Sequence, residues 1–170
     1  MWAMSLYRIK QFIWSITTPF KPIDLNTVNK YLDEDEIVFF KRMKKSEQHH
    51  CIRVCNDALK ESKKLKHIDE KKIAKIALLH DIGKIEGNLT VIDKSILVIL
   101  NKFTRGKLKR YTNNKKVDIY YNHPKKSVAL LKSINTEYDF EFLEAIEEHH
   151  NVYDGQNKYI EIIKRCDDNN

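Results

Sequence analysis

A run from Ile73 to Leu79, apolar but for Lys75, passes directly into His80, Asp81, Gly83 and Lys84 of the stretch LLHDIGKIEG. On a helix, Ile73 and Ile76 share a face with His80, while Ala74, Ala77 and Leu78 share one with Asp81. Both polar side chains therefore point toward the packed side. Burying an unpaired carboxylate costs several kcal/mol, so the fold must bring Asp81 a cation, a metal or several donors.

The same conflict recurs along the chain. His50 lies four before Val54 and eight before Ala58 on one stripe, while its neighbour His49 aligns with the wetter Arg53 and Asn56. Ile119 leads by one helical step to His123. Phe142 and Ile146 lead to His149, Leu143 leads to His150, and Ile160 and Ile163 lead to Asp167. Five segments thus aim imidazoles or carboxylates at the apolar interior. Such donors suit Fe, Mn, Co, Ni or Zn rather than a thiolate site. Five imidazoles and two carboxylates exceed the needs of one tetrahedral ion, and two ions sharing a bridging carboxylate is the economical arrangement. A pair roughly 3.5–4 Å apart generates a hydroxide at neutral pH and holds phosphate oxygens for in-line attack.

The scaffold for these donors reads as all-α, a compact multi-helix bundle. The 170 residues suit one domain, and only four glycines and three prolines interrupt them. Periodicity and end signals predict helices over 25–32, 34–44, 47–64, 70–81, 90–103, 115–122, 125–134, 139–150 and 157–168. Asp33, Ser46 and Asp69 are expected N-caps, and Pro124 is expected at a first helical position. An aromatic segment with apolar residues at Leu6, Ile9, Ile13 and Ile16 predicts a further helix before Pro19. It is expected to pack across the domain or against a second subunit rather than lie on a membrane surface, which leaves a homodimer open. Residues 1–45 read as N-terminal helices packed on a domain of residues 46–168.

Cys51, Cys55 and Cys166 suit small core positions in a reducing compartment. No apolar stretch reaches the ~20 residues a membrane span needs. The start of the chain lacks signal-peptide features, so a cytoplasmic location is expected. The net charge of +7 favours anionic partners. Its densest region, NKFTRGKLKRYTNNKK over 101–116, reads as an exposed junction, with Arg105 and Lys107 as a rim for substrate phosphate.

Taken with QHHCIRV upstream and HPKKSVALL and EEHHNVYDG downstream, HDIGK resembles the HD-domain metal-dependent phosphohydrolase superfamily. Its pattern H…HD…(H…H)…D is matched by His50, His80-Asp81, His123, His149-His150 and Asp167 over roughly residues 46–168. Within it the chain is nearest to the HD-GYP-like branch. That resemblance implies one ion held by His50, His80, Asp81 and Asp167, and another by Asp81, His123, His149 and His150. It implies Asp81 as the bridge and Lys84 as the group that meets substrate phosphate and assists the leaving oxygen. The Gly-Tyr-Pro signature is absent, the span from His150 to Asp167 is short, and Ser46 stands where three-metal members carry glutamate.

The expected activity is hydrolysis of a phosphate ester or anhydride in a nucleotide-like substrate, with Asp81 and Lys84 catalytic. The alternative is a regulatory module that binds nucleotide or metal with little turnover. Nucleic acid is the least favoured partner, because the basic stretch carries no recognition motif.

Overall fold

The computed structural model describes residues 21–170 apart from 88, 90, 135 and 136. The helix expected before Pro19 lies outside the described residues. Among the described residues there are eight α-helices: α1 Leu25–Tyr31, α2 Glu34–Arg42, α3 Lys45–Ser62, α4 Glu70–Leu79, α5 Val91–Phe103, α6 Lys115–Ser133, α7 Phe140–Glu148 and α8 Lys158–Asp168. Short 3-10 segments at Ile82–Glu86 and Lys107–Tyr111 flank α5. Among the described residues there is no strand, and the protein is an all-α bundle.

Short polar side chains start most of these helices. Asp69 accepts the Lys72 N–H at 2.6 Å, Asp139 the Phe142 N–H at 2.8 Å, and Asn157 the Tyr159 N–H at 3.1 Å. Each satisfies a backbone donor that has no partner within its helix. Ser46 does not cap. α3 begins two residues earlier than expected, at Lys45, and the preceding turn is closed by Gln48, whose amide donates to the Met43 carbonyl at 2.8 Å.

Pro124 does not open a new helix either. α6 runs through it from Lys115 to Ser133. A proline inside a helix leaves the carbonyl four residues back without its N–H, and that carbonyl belongs to Tyr120. The His123 ring supplies the missing donor, with Nδ1 3.2 Å from Tyr120 O and 3.0 Å from Ile119 O.

α3 and α4 form the centre of the main core, with Val54, Cys55, Ala58, Ile73, Ile76 and Leu78 buried against Ile146, Ile160 and Ile163. The three cysteines are reduced and buried. A smaller core of Leu89, Leu97, Leu108, Val117 and Ile119 lies between α5 and α6.

α2 carries a fully buried carboxylate, Glu36, which accepts from the Asp33 N–H at 2.7 Å, Lys75 Nζ at 2.9 Å and Tyr138 OH at 2.9 Å. Glu36→Ala strands those donors and is expected to cost about 2–4 kcal/mol, read as a lower urea midpoint. Glu36→Gln, which keeps an acceptor oxygen, should recover part of that loss.

Candidate metal centre

Helix ends and two helix interiors carry the candidate donors: His50 inside α3, His80 and Asp81 just past α4, His123 inside α6, His149 and His150 just past α7, and Asp167 in the last turn of α8. The last four carbonyls of a helix lack intrahelical partners. At α4, His80 Nδ1 lies 2.8 Å from Ala77 O; at α7, His149 Nδ1 lies 2.7 Å from Ile146 O. His123 makes the equivalent bonds at the break left by Pro124. A carbonyl only accepts, so all three rings carry a proton on Nδ1, which leaves Nε2 bare whenever the imidazole is neutral.

Those bare nitrogens face the carboxylates. Asp81 divides its oxygens between two groups of donors. Oδ1 lies 3.2 Å from His123 Nε2, and Oδ2 lies 3.5 Å from His80 Nε2 and 3.7 Å from His50 Nε2. Asp167 Oδ1 is 2.8 Å from His50 Nε2 and 3.7 Å from His80 Nε2, with its Oδ2 3.5 Å from His150 Nδ1. His123 and His150 bring their Nε2 atoms to 3.1 Å. Donor atoms that share an ion at ordinary bond lengths stand about 3.0–3.5 Å apart, so most of these spacings fit coordination.

Three overlapping sets have ligand atoms within 4.8 Å of one another: Asp81, His123, His149 and His150; His50, His80 and Asp81; and His80, His149 and Asp167. The first is the set expected for one ion. The set expected for the other is divided between the remaining two, with Asp167 held beside His50. Three buried atoms in the cluster have no hydrogen-bond partner: His80 Nε2, His149 Nε2 and Asp81 Oδ1. Buried polar atoms are seldom left so, and an imidazole lone pair with a carboxylate oxygen is a donor set a divalent ion would complete.

The local charges point the same way. Burial, then the neighbouring His150 and His80, push His149 well below the usual imidazole range. Burial and Lys84 lower His123. Burial brings His150 down to about 4, with His123 adding to it against the pull of Asp167. Neutral imidazoles are the form that binds metal. Burial opposes ionisation of Asp81, yet Lys84, His80 and His123 outweigh it and hold the carboxyl well below its usual range. Burial also works against charge on His80, but Asp81 chiefly draws a cation to it and pulls its pKa well above normal. A metal ion would answer the same field.

Lys84 Nζ bonds Asp81 Oδ2 and lies 3.3 Å from Glu47 Oε2. Glu47 had no place in the sequence expectation, although it stands one helical step before His50 and so shares its face of α3. Burial raises the Glu47 pKa, but Lys94 and Lys84 override this and hold it at about 2. Ser127 is another residue that the pattern concealed. Its Oγ accepts the Gly83 N–H at 2.8 Å and donates to the His80 carbonyl at 2.8 Å, fastening the turn after α4 to α6.

The helix expected over 70–81 ends before Gly83. α4 stops at Leu79, and Gly83 lies within the following 3-10 segment. A Cβ there would meet His123 O at 2.2 Å and Ser127 N at 2.6 Å, so glycine is what permits the turn to touch α6. Arg105 and Lys107 stand exposed in the turn after α5, while the charged side chains at the cluster itself are Lys84 and Glu47. His49 turns away, with Nε2 3.3 Å from the Lys21 carbonyl.

A family model described as HD domain matches residues 48–168, the span that contains all seven clustered donors. No curated protein and no solved structure matches the chain.

Proposed function

Because the chain belongs to the HD-domain family, we propose that it is a metal-dependent phosphohydrolase that cleaves a phosphate ester or anhydride of a nucleotide-like substrate. The observation that carries this reading is that the buried atoms left without a hydrogen-bond partner on His80, His149 and Asp81 belong to residues of the overlapping sets that could hold metal ions. His50, His80, Asp81 and Asp167 would hold one divalent ion, and Asp81, His123, His149 and His150 a second. When bound, such ions supply Lewis acidity toward phosphoryl oxygens and make a coordinated water more acidic.

The chain's own residues do the rest. Asp81 directs one oxygen to each group of imidazoles and fixes their spacing. Burial disfavours charge on Lys84, but Asp81, Glu47 and Asp167 outweigh it and push its pKa up, so the ammonium stays charged through the working pH range. It sits at the edge of the cluster, where it can receive a phosphate and steady the charge on the departing oxygen. Glu47 holds it there. The apolar wall of Ile73, Ile76 and Leu78 behind the donors keeps bulk water from the back of the site.

The test is elemental analysis of natively purified protein together with a broad phosphoester panel. About two transition ions per chain and turnover of at least one nucleotide are expected. Metal-free protein, with wild type and Asp81→Ala equally inactive across the panel, would sink the proposal. Tight nucleotide binding with no product over hours would instead mark a regulatory module. Removal of bound metal by a chelator should lower the melting temperature by about 10 °C, since ligand at a thousand times its Kd stabilises a native state by about 4 kcal/mol.

A further inference from the structure

α5 has two different apolar faces. Leu97 is buried in the smaller core, and Asn101 accepts a hydrogen bond from Tyr121 OH at 2.5 Å, so that side of the helix packs on α6. The opposite side presents Ile96, Ile99, Leu100 and Phe103 at the spacing of a single helical stripe. These are 48%, 53%, 42% and 82% exposed, an unusual amount of aliphatic and aromatic surface for one short helix.

The chain next to that stripe is strongly basic. From Lys94 to Val117 there is no aspartate or glutamate. Lys102, Arg105, Lys107, Lys109, Arg110 and Lys115 are all exposed, and none forms an ion pair among the described residues. Unpaired lysines occur elsewhere too, such as Lys63, Lys66 and Lys132, and Lys116 is matched to Asp93. What sets this stretch apart is that its cations are crowded together with no acid among them. The basic stretch is also held in place. Gly106, at φ +82°, turns the chain after α5, and Leu108 inserts into the smaller core, so the cations of Lys107–Tyr111 are displayed beside the stripe.

We propose that this face docks the protein on an anionic lipid bilayer. Apolar side chains sink into the boundary between headgroups and acyl chains while lysines and arginines meet the phosphates, the combination by which amphipathic helices lie on membranes. No helix among the described residues is long and apolar enough to cross a bilayer, so the association is peripheral. A second copy of the chain fits the stripe poorly, because it would bring unpaired cations against unpaired cations. A nucleic acid would use the cations and Tyr111 but leave Ile96, Ile99 and Leu100 in water.

The experiment uses the full chain and vesicles of phosphatidylcholine alone or with one-third phosphatidylserine. Binding to the anionic vesicles is expected to exceed binding to the neutral ones by at least about tenfold. Phe103→Ser should weaken it by about tenfold, and Lys107→Glu combined with Arg110→Glu by more. These side chains are exposed, so folding should be unaffected, which circular dichroism checks. In a second measurement, Phe103→Cys is labelled with an environment-sensitive fluorophore, which the three buried native cysteines do not compete for. The label should shift to the blue only when anionic vesicles are added. Three results would overturn the proposal: no binding to anionic vesicles, a shift produced equally by RNA, or a label already blue-shifted in the free protein. The last would mean that the stripe is covered by the chain's own segment or, if light scattering shows a dimer, by a second copy.

Discussion

Asp81→Asn is expected to remove most of the bound metal and to lower hydrolysis by on the order of a thousandfold, as the loss of several kcal/mol of ion-mediated stabilisation implies. Asparagine keeps the shape and one acceptor oxygen. It cannot keep the negative charge that His123 approaches at 3.2 Å, His80 at 3.5 Å and His50 at 3.7 Å. The fold should persist, because a neutral amide is cheaper to bury than a carboxylate and Lys84 retains Glu47 as a partner. Metal content by mass spectrometry, hydrolysis rate and circular dichroism read the three parts separately. His49→Ala is the matched control, since that ring faces the Lys21 carbonyl, and it should keep both metal and rate. An Asp81→Asn protein with full metal content would remove Asp81 from the centre.

Gly83→Ala should cost about 3 kcal/mol or more in urea unfolding, despite adding a single methyl group. The atoms the methyl would strike, His123 O at 2.2 Å and Ser127 N at 2.6 Å, belong to the backbone of α6 and cannot rotate aside. Relief requires the turn carrying Asp81 to back away from the helix carrying His123, so metal affinity should fall along with stability. Gly106→Ala gives the contrast. That glycine has a positive φ but open space around it, so only the left-handed backbone penalty of about 1–2 kcal/mol applies, with no effect on metal. Equal costs at the two positions would show that close approach at Gly83 is not what selects glycine there.

Helical periodicity made most of the bundle legible. Runs such as Ile73–Leu79 bury as their spacing implies, and Asp69 caps because its short side chain reaches a free N–H. The clustered imidazoles and carboxylates stand out for the same reason, since a polar residue on an apolar stripe is visible without a structure. What stayed hidden depends on contacts between distant segments. Pro124 reads locally as a helix start, and only the His123 ring, standing in for the lost N–H, makes a continuous helix acceptable. Gly83 reads as a helix end, because nothing near it in sequence announces α6 pressing on it. Glu47 reads as an ordinary surface acid until Lys84 and Lys94 arrive from other elements. Ser46 reads as a cap by residue type, yet the turn between α2 and α3 is set by the Gln48 amide instead.

The tethering of His80, His123 and His149 to carbonyls of their own helices has a consequence for how the protein can change over generations. In many metal centres the groups that orient the ligands are side chains, and one substitution can delete them. Here the orienting atoms are the backbone oxygens of Ala77, Ile119, Tyr120 and Ile146, which every amino acid possesses. The side chains at positions 77, 119, 120 and 146 are therefore not what aims the rings. Drift in those side chains leaves the aim of the imidazoles untouched for as long as the helices hold.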